Sequence, residues 1–131
     1  MKPSILIADD EKVICNAFER LLSAGYEIYK SCNGKDALDI IRRHSDIEVL
    51  LCDIMMPVMD GVELIKNVKS EYKDIIIIAI TGSYLDENVN DAIEKYADIH
   101  FMKPVDITQL ELTLKTVFEN KEATRGNLPH P

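Results

Sequence analysis

Residues 75–80 read IIIIAI, and this run constrains the fold more than any other. Consecutive β-branched side chains are stiff in a helix and sit well on a pleated surface. The run is apolar at every position, so it predicts a strand covered on both faces. That is the situation of a strand inside a parallel sheet with helices above and below it. Shorter runs recur along the chain: SILIA at 4–8, VLLC at 49–52 and IHFM at 99–102. Residues 26–31 alternate instead, like a strand exposed on one side.

Between these runs the apolar residues take helical spacing. Residues 11–24 put Ile14, Phe18, Leu21 and Leu22 on one face, with Gly25 placed to stop the helix. Asn33 begins a second helix with Ala37, Leu38, Ile40 and Ile41 on its apolar side. Asp60-Gly61-Val62-Glu63 has capping-box spacing and opens a third helix through Ser70. Leu85, Val89, Ala92, Ile93 and Tyr96 trace a fourth stripe. Asp106-Ile107-Thr108-Gln109 is a further capping box, opening a fifth helix with Leu110, Leu114, Val117 and Phe118 on one side. Strand and helix thus alternate five times, which predicts an α/β fold, a doubly wound five-stranded parallel sheet with five helices.

With 131 residues the chain is long enough for one core of its own. The expected domain is 1–120. Residues 121–131 are polar, with Gly126 and two prolines, and read as a flexible tail or the start of a linker. The net charge of −8 and the lack of any basic run argue against direct nucleic-acid binding. No apolar stretch approaches the roughly 18–20 residues that span a bilayer, and Met1-Lys2-Pro3-Ser4 does not open like a signal peptide. The expectation is a cytoplasmic protein that touches no membrane. Cys15, Cys32 and Cys52 are odd in number and widely spaced, without a CxxC pair. They read as reduced, mostly buried thiols rather than a disulfide frame or a zinc site.

In a parallel sheet, functional groups gather beyond the carboxyl ends of the strands. The first apolar run ends at Asp9-Asp10, the third at Asp53, the fourth at Thr81 and the last at Lys103-Pro104. An acid after one strand is ordinarily a turn or a cap. Three carboxylates, a hydroxyl and an amine on one edge of one sheet are a site. Carboxylates crowded together repel one another unless a cation sits among them, and an all-oxygen ligand set suits Mg²⁺. A carboxylate can also attack phosphorus, and a metal, a hydroxyl and an ammonium would stabilise the charge that develops.

The motifs ILIADDE at 5–11, DIMMPVMDG at 53–61, ITG at 80–82 and MKP at 102–104, in this order, resemble the receiver domain of two-component response regulators over residues 4–119. The resemblance implies a flavodoxin-like sheet of order 2-1-3-4-5. It implies that Asp53 is the phosphoacceptor, modified by a sensor histidine kinase or a histidine phosphotransfer protein. Mg²⁺ would be held by Asp10, Asp53 and the backbone carbonyl of Met55, with Asp9 acting through water. Thr81 would bond the phosphoryl group as a switch. Lys103 would pair with a phosphoryl oxygen, and the Lys103–Pro104 peptide would be cis. Such a chain is a phosphoacceptor that assists its own chemistry rather than an enzyme.

Two positions depart from the family pattern. His100 stands where the family usually has the Tyr or Phe of the switch, with Phe101 beside it, and Val105 replaces the frequent Phe after Lys-Pro. The face of the fourth helix, fifth strand and fifth helix is where the family dimerises or meets an effector. Asp86, Glu87, Asp91 and Glu94 make that helix acidic. The kinase would meet the first helix, through Glu11, Val13 and Ile14, and the loop at 105–106. An FMN-binding module is disfavoured, because Asp9-Asp10-Glu11 would repel a phosphate where FMN needs a Ser, Thr and Gly loop. An aspartyl-intermediate phosphatase is disfavoured too, because Met55 stands where a second acid is needed. A receiver excised from a hybrid histidine kinase or larger effector, and a phospho-independent docking module, stay open.

Overall fold

The structure is a computed structural model that describes residues 2–56, 59–82 and 87–126, with side chains to Ala123. The elements keep to the expected alternation: β1 (Ser4–Ala8), α1 (Lys12–Leu22), β2 (Glu27–Ser31), α2 (Gly34–Arg43), β3 (Ile47–Asp53), α3 (Gly61–Glu71), β4 (Ile76–Thr81), α4 (Glu87–Tyr96), β5 (Ile99–Met102) and α5 (Ile107–Gly126). The strands form one parallel sheet in the order β2-β1-β3-β4-β5. Leu85 and Asp86 lie outside the described residues, as does the tail from 127 onward.

The isoleucine run behaves as its composition demands. Alternate residues of β3 and β4 serve opposite faces. Leu50, Cys52, Ile77 and Ala79 join the apolar side chains of α2, α3 and Ile93 of α4 in one core. Val49, Leu51, Ile78 and Ile80 join those of α1 and α5 in the other. A sheet covered on both faces cannot tolerate polar residues inside its central strands, which is why those strands read as unbroken apolar runs. The edge strand β2 is half open, with Glu27 and Lys30 exposed.

The helix starts are local chemistry. Asn33 caps α2, its side-chain oxygen accepting the N–H of Asp36 at 2.8 Å. Asp60 caps α3 by accepting from Glu63 N–H at 2.9 Å, and Asp106 accepts from Gln109 N–H at 3.2 Å at the head of α5. Each satisfies one of the donors that a helix N-terminus leaves unpaired.

Two expectations need correction, while the reading of mostly buried thiols holds for two of the three. Leu21 is 48% exposed, and Cys15, Phe18 and Leu22 fill the buried face of α1 instead. Those three are spaced 3 and 4 apart, whereas Leu21 is turned about 100° off the line of Leu22. Cys32 is exposed, in the turn after β2, while Cys15 and Cys52 are buried. Helix α5 runs past residue 120 to Gly126, anchored by buried Val117 and Phe118 and by Lys121 Nζ donating to the Asp74 carbonyl at 2.6 Å. Among the described residues no helix is long and apolar enough to cross a membrane.

Candidate functional site

Strand register brings the expected groups to one edge. Ala8 pairs with Cys52, so β1 releases Asp9 at the level where β3 ends in Asp53. Asp53 pairs with Ile80, so β4 runs one residue further to Thr81, which is level with Met102 at the end of β5. Lys103 comes directly after Met102, and its N–H donates to the Thr81 carbonyl at 2.8 Å. The Lys103–Pro104 peptide is cis, as the motif implied.

One oxygen from each of Asp9, Asp10 and Asp53 lies within 4.8 Å of the others. Asp9 and Asp53 are buried, and Asp10 is exposed. Asp9 Oδ1 accepts the N–H of Glu11 at 2.9 Å. Its second oxygen, Oδ2, is buried and finds no hydrogen-bond partner among the described residues. Asp53 Oδ1 accepts the N–H of Met55 at 3.1 Å, and Asp53 Oδ2 faces Lys103 Nζ at 3.4 Å. Thr81 is buried, and its hydroxyl leans to the Phe101 carbonyl of β5 at 3.4 Å.

The electrostatics come from burial. Desolvation pushes the Asp9 carboxyl from its ordinary 3.8 up to about 6 against the pull of the Glu11 N–H, with the charges of Asp53 and Asp10 adding to the rise and that of Lys103 opposing it. Asp53 is raised for the same first reason, against the pull of the Met55 N–H and Lys103. Burial alone would lower Lys103, but the negative charges of Asp53 and Asp9 outweigh it and raise it. One ammonium thus faces two buried carboxylates. A buried carboxylate oxygen without a donor, beside two further carboxylates, fits a hard divalent cation with oxygen ligands.

The site also depends on Gly61, which the sequence shows in a capping box and at the end of the DIMMPVMDG motif without revealing its role. A Cβ on Gly61 would overlap Ile54 Cα and come within 2.6 Å of the Asp53 carbonyl oxygen. Gly61 N–H donates to the Ile54 carbonyl at 2.9 Å, so the turn from Asp53 into α3 closes tightly on itself. The Asp-Gly pair at 60–61 is the only trace of this in the sequence, and it serves equally for a cap. His100 is brought to none of these groups. It is exposed on β5 in register with Ala79, on the other side of the strand from half-buried Phe101.

The strand order, and a polar edge on either side of the β1/β3 switch point, define a doubly wound protein of the flavodoxin-like class. Within that class, the profile of the response regulator receiver domain matches residues 5–115, and the chain belongs to this family. It is 33% identical over 128 residues to the probable transcriptional regulator ycf27 of Cyanidium caldarium, with 95% of this chain and 49% of that protein covered. It is 31% identical over 118 residues to sporulation initiation phosphotransferase F of Bacillus subtilis, covering 88% and 93%. Among solved structures it resembles a CheY-like response regulator receiver domain protein from Methanospirillum hungatei, at 26% identity and a TM-score of 0.84, covering 94% and 99%. The chain therefore spans about half the length of the first of these relatives and nearly all of the other two.

Proposed function

We propose that this receiver domain is a phosphoacceptor switch in which Asp53 takes a phosphoryl group from the phosphohistidine of a sensor kinase or a histidine phosphotransfer protein. The observation that carries this reading is the convergence of Asp9, Asp10 and Asp53 within 4.8 Å, with the Lys103 ammonium 3.4 Å from Asp53. Asp53 is the acid of the three that faces both Lys103 and the Met55 N–H, which orient its carboxylate for attack. A Mg²⁺ ion bound by Asp10, Asp53 and the Met55 carbonyl, with Asp9 acting through water, would neutralise charge on the transferring oxygens. An oxygen of Asp53 forms the new bond to phosphorus as the bond to the histidine nitrogen breaks. Lys103 then exchanges its contact with the carboxylate for one with a phosphoryl oxygen.

Thr81 is the switch. Its hydroxyl would leave the Phe101 carbonyl for the phosphoryl group, and His100, on the exposed side of the same edge strand, would share in the change. The face of α4, β5 and α5 would then meet a second copy or an effector. Glu11 and Val13, the latter 78% exposed, are available to a kinase on α1, whereas Ile14 is half-buried against the core. The receiver unit extends through α5, past the expected bound at 120, because Lys121 is tied back to the Asp74 carbonyl. The same switch serves a free-standing cytoplasmic regulator or a receiver joined to an effector.

The test is labelling with acetyl phosphate in Mg²⁺, read as a mass increase of one phosphoryl group. Wild type should be labelled and Asp53→Asn should not. Equal labelling of the variant would place the phosphoacceptor elsewhere.

A further inference from the structure

The loop that leaves β3 at Asp53 enters α3 at Gly61 and carries Met55. Its start is tied to the sheet by Ile54 N–H donating to the Ile80 carbonyl at 3.0 Å, and its end by the Gly61 bond to Ile54. A third backbone bond crosses to a different element. The N–H of Gly34, the first residue of α2, donates to the carbonyl of Met59 at 3.1 Å.

Gly34 is buried in this contact. A Cβ there would overlap the Met59 carbonyl oxygen and lie 2.9 Å from Met59 Cβ and 3.0 Å from its carbonyl carbon. Two of these three atoms are backbone, so no side-chain rotation relieves the collision. The φ of Gly34 is not in the left-handed region, so its conformation does not require glycine. Glycine is a poor helix former, and what its presence gains here is space. Asn33 fixes the end of α2 by capping the Asp36 N–H. The Gly34 N–H, one of the donors with no partner inside the helix, is left to hold Met59 at the positive end of the helix dipole.

We propose that Gly34 is a positioning residue for the metal site. The N-terminus of α2 holds the β3–α3 loop through Met59, and so sets where the Met55 carbonyl stands relative to Asp9, Asp10 and Asp53. This rests on the reading of those groups as a Mg²⁺ site. A methyl at position 34 displaces Met59 and, through Asp60 and the Gly61 bond to the Ile54 carbonyl, the peptide that leads into Met55. The site then loses its loop ligand while its three carboxylates stay at the ends of β1 and β3.

The test measures Mg²⁺ affinity by isothermal titration calorimetry, well below the melting temperature, for wild type, Gly34→Ala and Gly25→Ala. Gly25 is the control, because a Cβ there meets nothing within 4 Å. The Gly34→Ala dissociation constant should rise at least threefold and that of Gly25→Ala should not change. A glycine needed only for packing would lower the melting temperature and leave the affinity of the folded protein alone. A change below threefold at Gly34, with wild type binding, overturns the proposal by itself. A wild type that takes up no Mg²⁺ overturns the site reading, and this proposal with it. Wild-type amide exchange gives a second measurement that needs no variant. Coupling is reciprocal, so Mg²⁺ should slow exchange of the Gly34 amide at least threefold. The His44 amide, at the far end of α2 and bonded to the Ile40 carbonyl, should be indifferent. Equal Gly34 exchange with and without Mg²⁺ refutes the coupling.

Discussion

Replacing Asp9 by Asn should make the metal-free protein more stable, and the gain should depend on pH. Asp9 is 2% exposed, and its Oδ2 has no donor among the described residues. In the folded chain its carboxyl titrates near 6, against an ordinary 3.8. The folded state therefore binds this proton more tightly than the unfolded chain. Folding is helped while both forms are protonated, and that help is lost as pH rises from about 4 through 6. At about 1.36 kcal/mol for each tenfold change in proton affinity, the charged form costs the fold on the order of 3 kcal/mol above pH 7. Asparagine keeps an oxygen for the Glu11 N–H and carries no charge. Its new N–H₂ must find an acceptor among the carboxylates, so the net gain is about 1.5–3 kcal/mol. For a domain of this length that is on the order of 5–10 °C in melting temperature.

The assay is a thermal melt of wild type and Asp9→Asn in EDTA at fixed ionic strength, from pH 8 down to pH 4. The variant should melt higher at pH 8, and the gap should close as wild type takes up its proton below pH 6. Adding Mg²⁺ should raise wild type by about 1.4 kcal/mol at ten times its dissociation constant. A variant no more stable than wild type at pH 8, or a gap that does not narrow on acidification, would refute the argument from burial.

Two further outcomes are set by the geometry. Lys103→Ala should still be labelled by acetyl phosphate but should lose the amide shift changes at Thr81 and along β5, since the lysine answers the phosphoryl charge and supplies no nucleophile; a normal response would exclude that role. A maleimide should modify the native protein once, at exposed Cys32, and three times after denaturation, because burial pushes the Cys15 thiol up to about 11 and the Cys52 thiol higher still. Two rapid native adducts would contradict this.

Much of the architecture was legible because period and burial are the same fact. A strand covered on both faces must be apolar throughout, and residues 75–80 could be little else. The edge carrying the acids was legible for a topological reason, since every strand of a parallel sheet points its carboxyl end the same way. What escaped were contacts between elements distant in sequence. Leu21 has the spacing of a core residue, and only the lie of α1 on the sheet turns it outward. Gly34 and Gly61 look like helix-start residues, and only the folded chain shows carbonyls of other segments pressed where a side chain would be. The extent of α5 was hidden because polar residues from 121 onward suit a solvated helix as well as a linker. The bond from Lys121 to Asp74 decides between them.

The charge imbalance at this edge explains why a signal made there should reach β5. Lys103 Nζ serves Asp53, and the buried Oδ2 of Asp9 has no partner among the described residues, so among those residues the pocket holds more negative than positive charge. Under the proposed reading, a cation meets that excess, and a phosphoryl group on Asp53 then adds negative charge next to Lys103 and Thr81. Both of those residues are tied to the last strand, Lys103 as the residue that follows it and Thr81 through its hydroxyl. The Lys103 N–H is held by the Thr81 carbonyl, and the Thr81 hydroxyl by the carbonyl of Phe101. β5 is the short edge strand of the sheet, paired only with β4 and bearing exposed His100 and Met102 on its outer side. Moving a central strand would disturb both cores at once. Moving β5 breaks pairing on one side only and repacks half-buried Ile99 and Phe101. On the proposed reading, the cheapest structural answer to new charge at Asp53 would be a shift of β5, altering the surface between α4 and α5 that a partner would read.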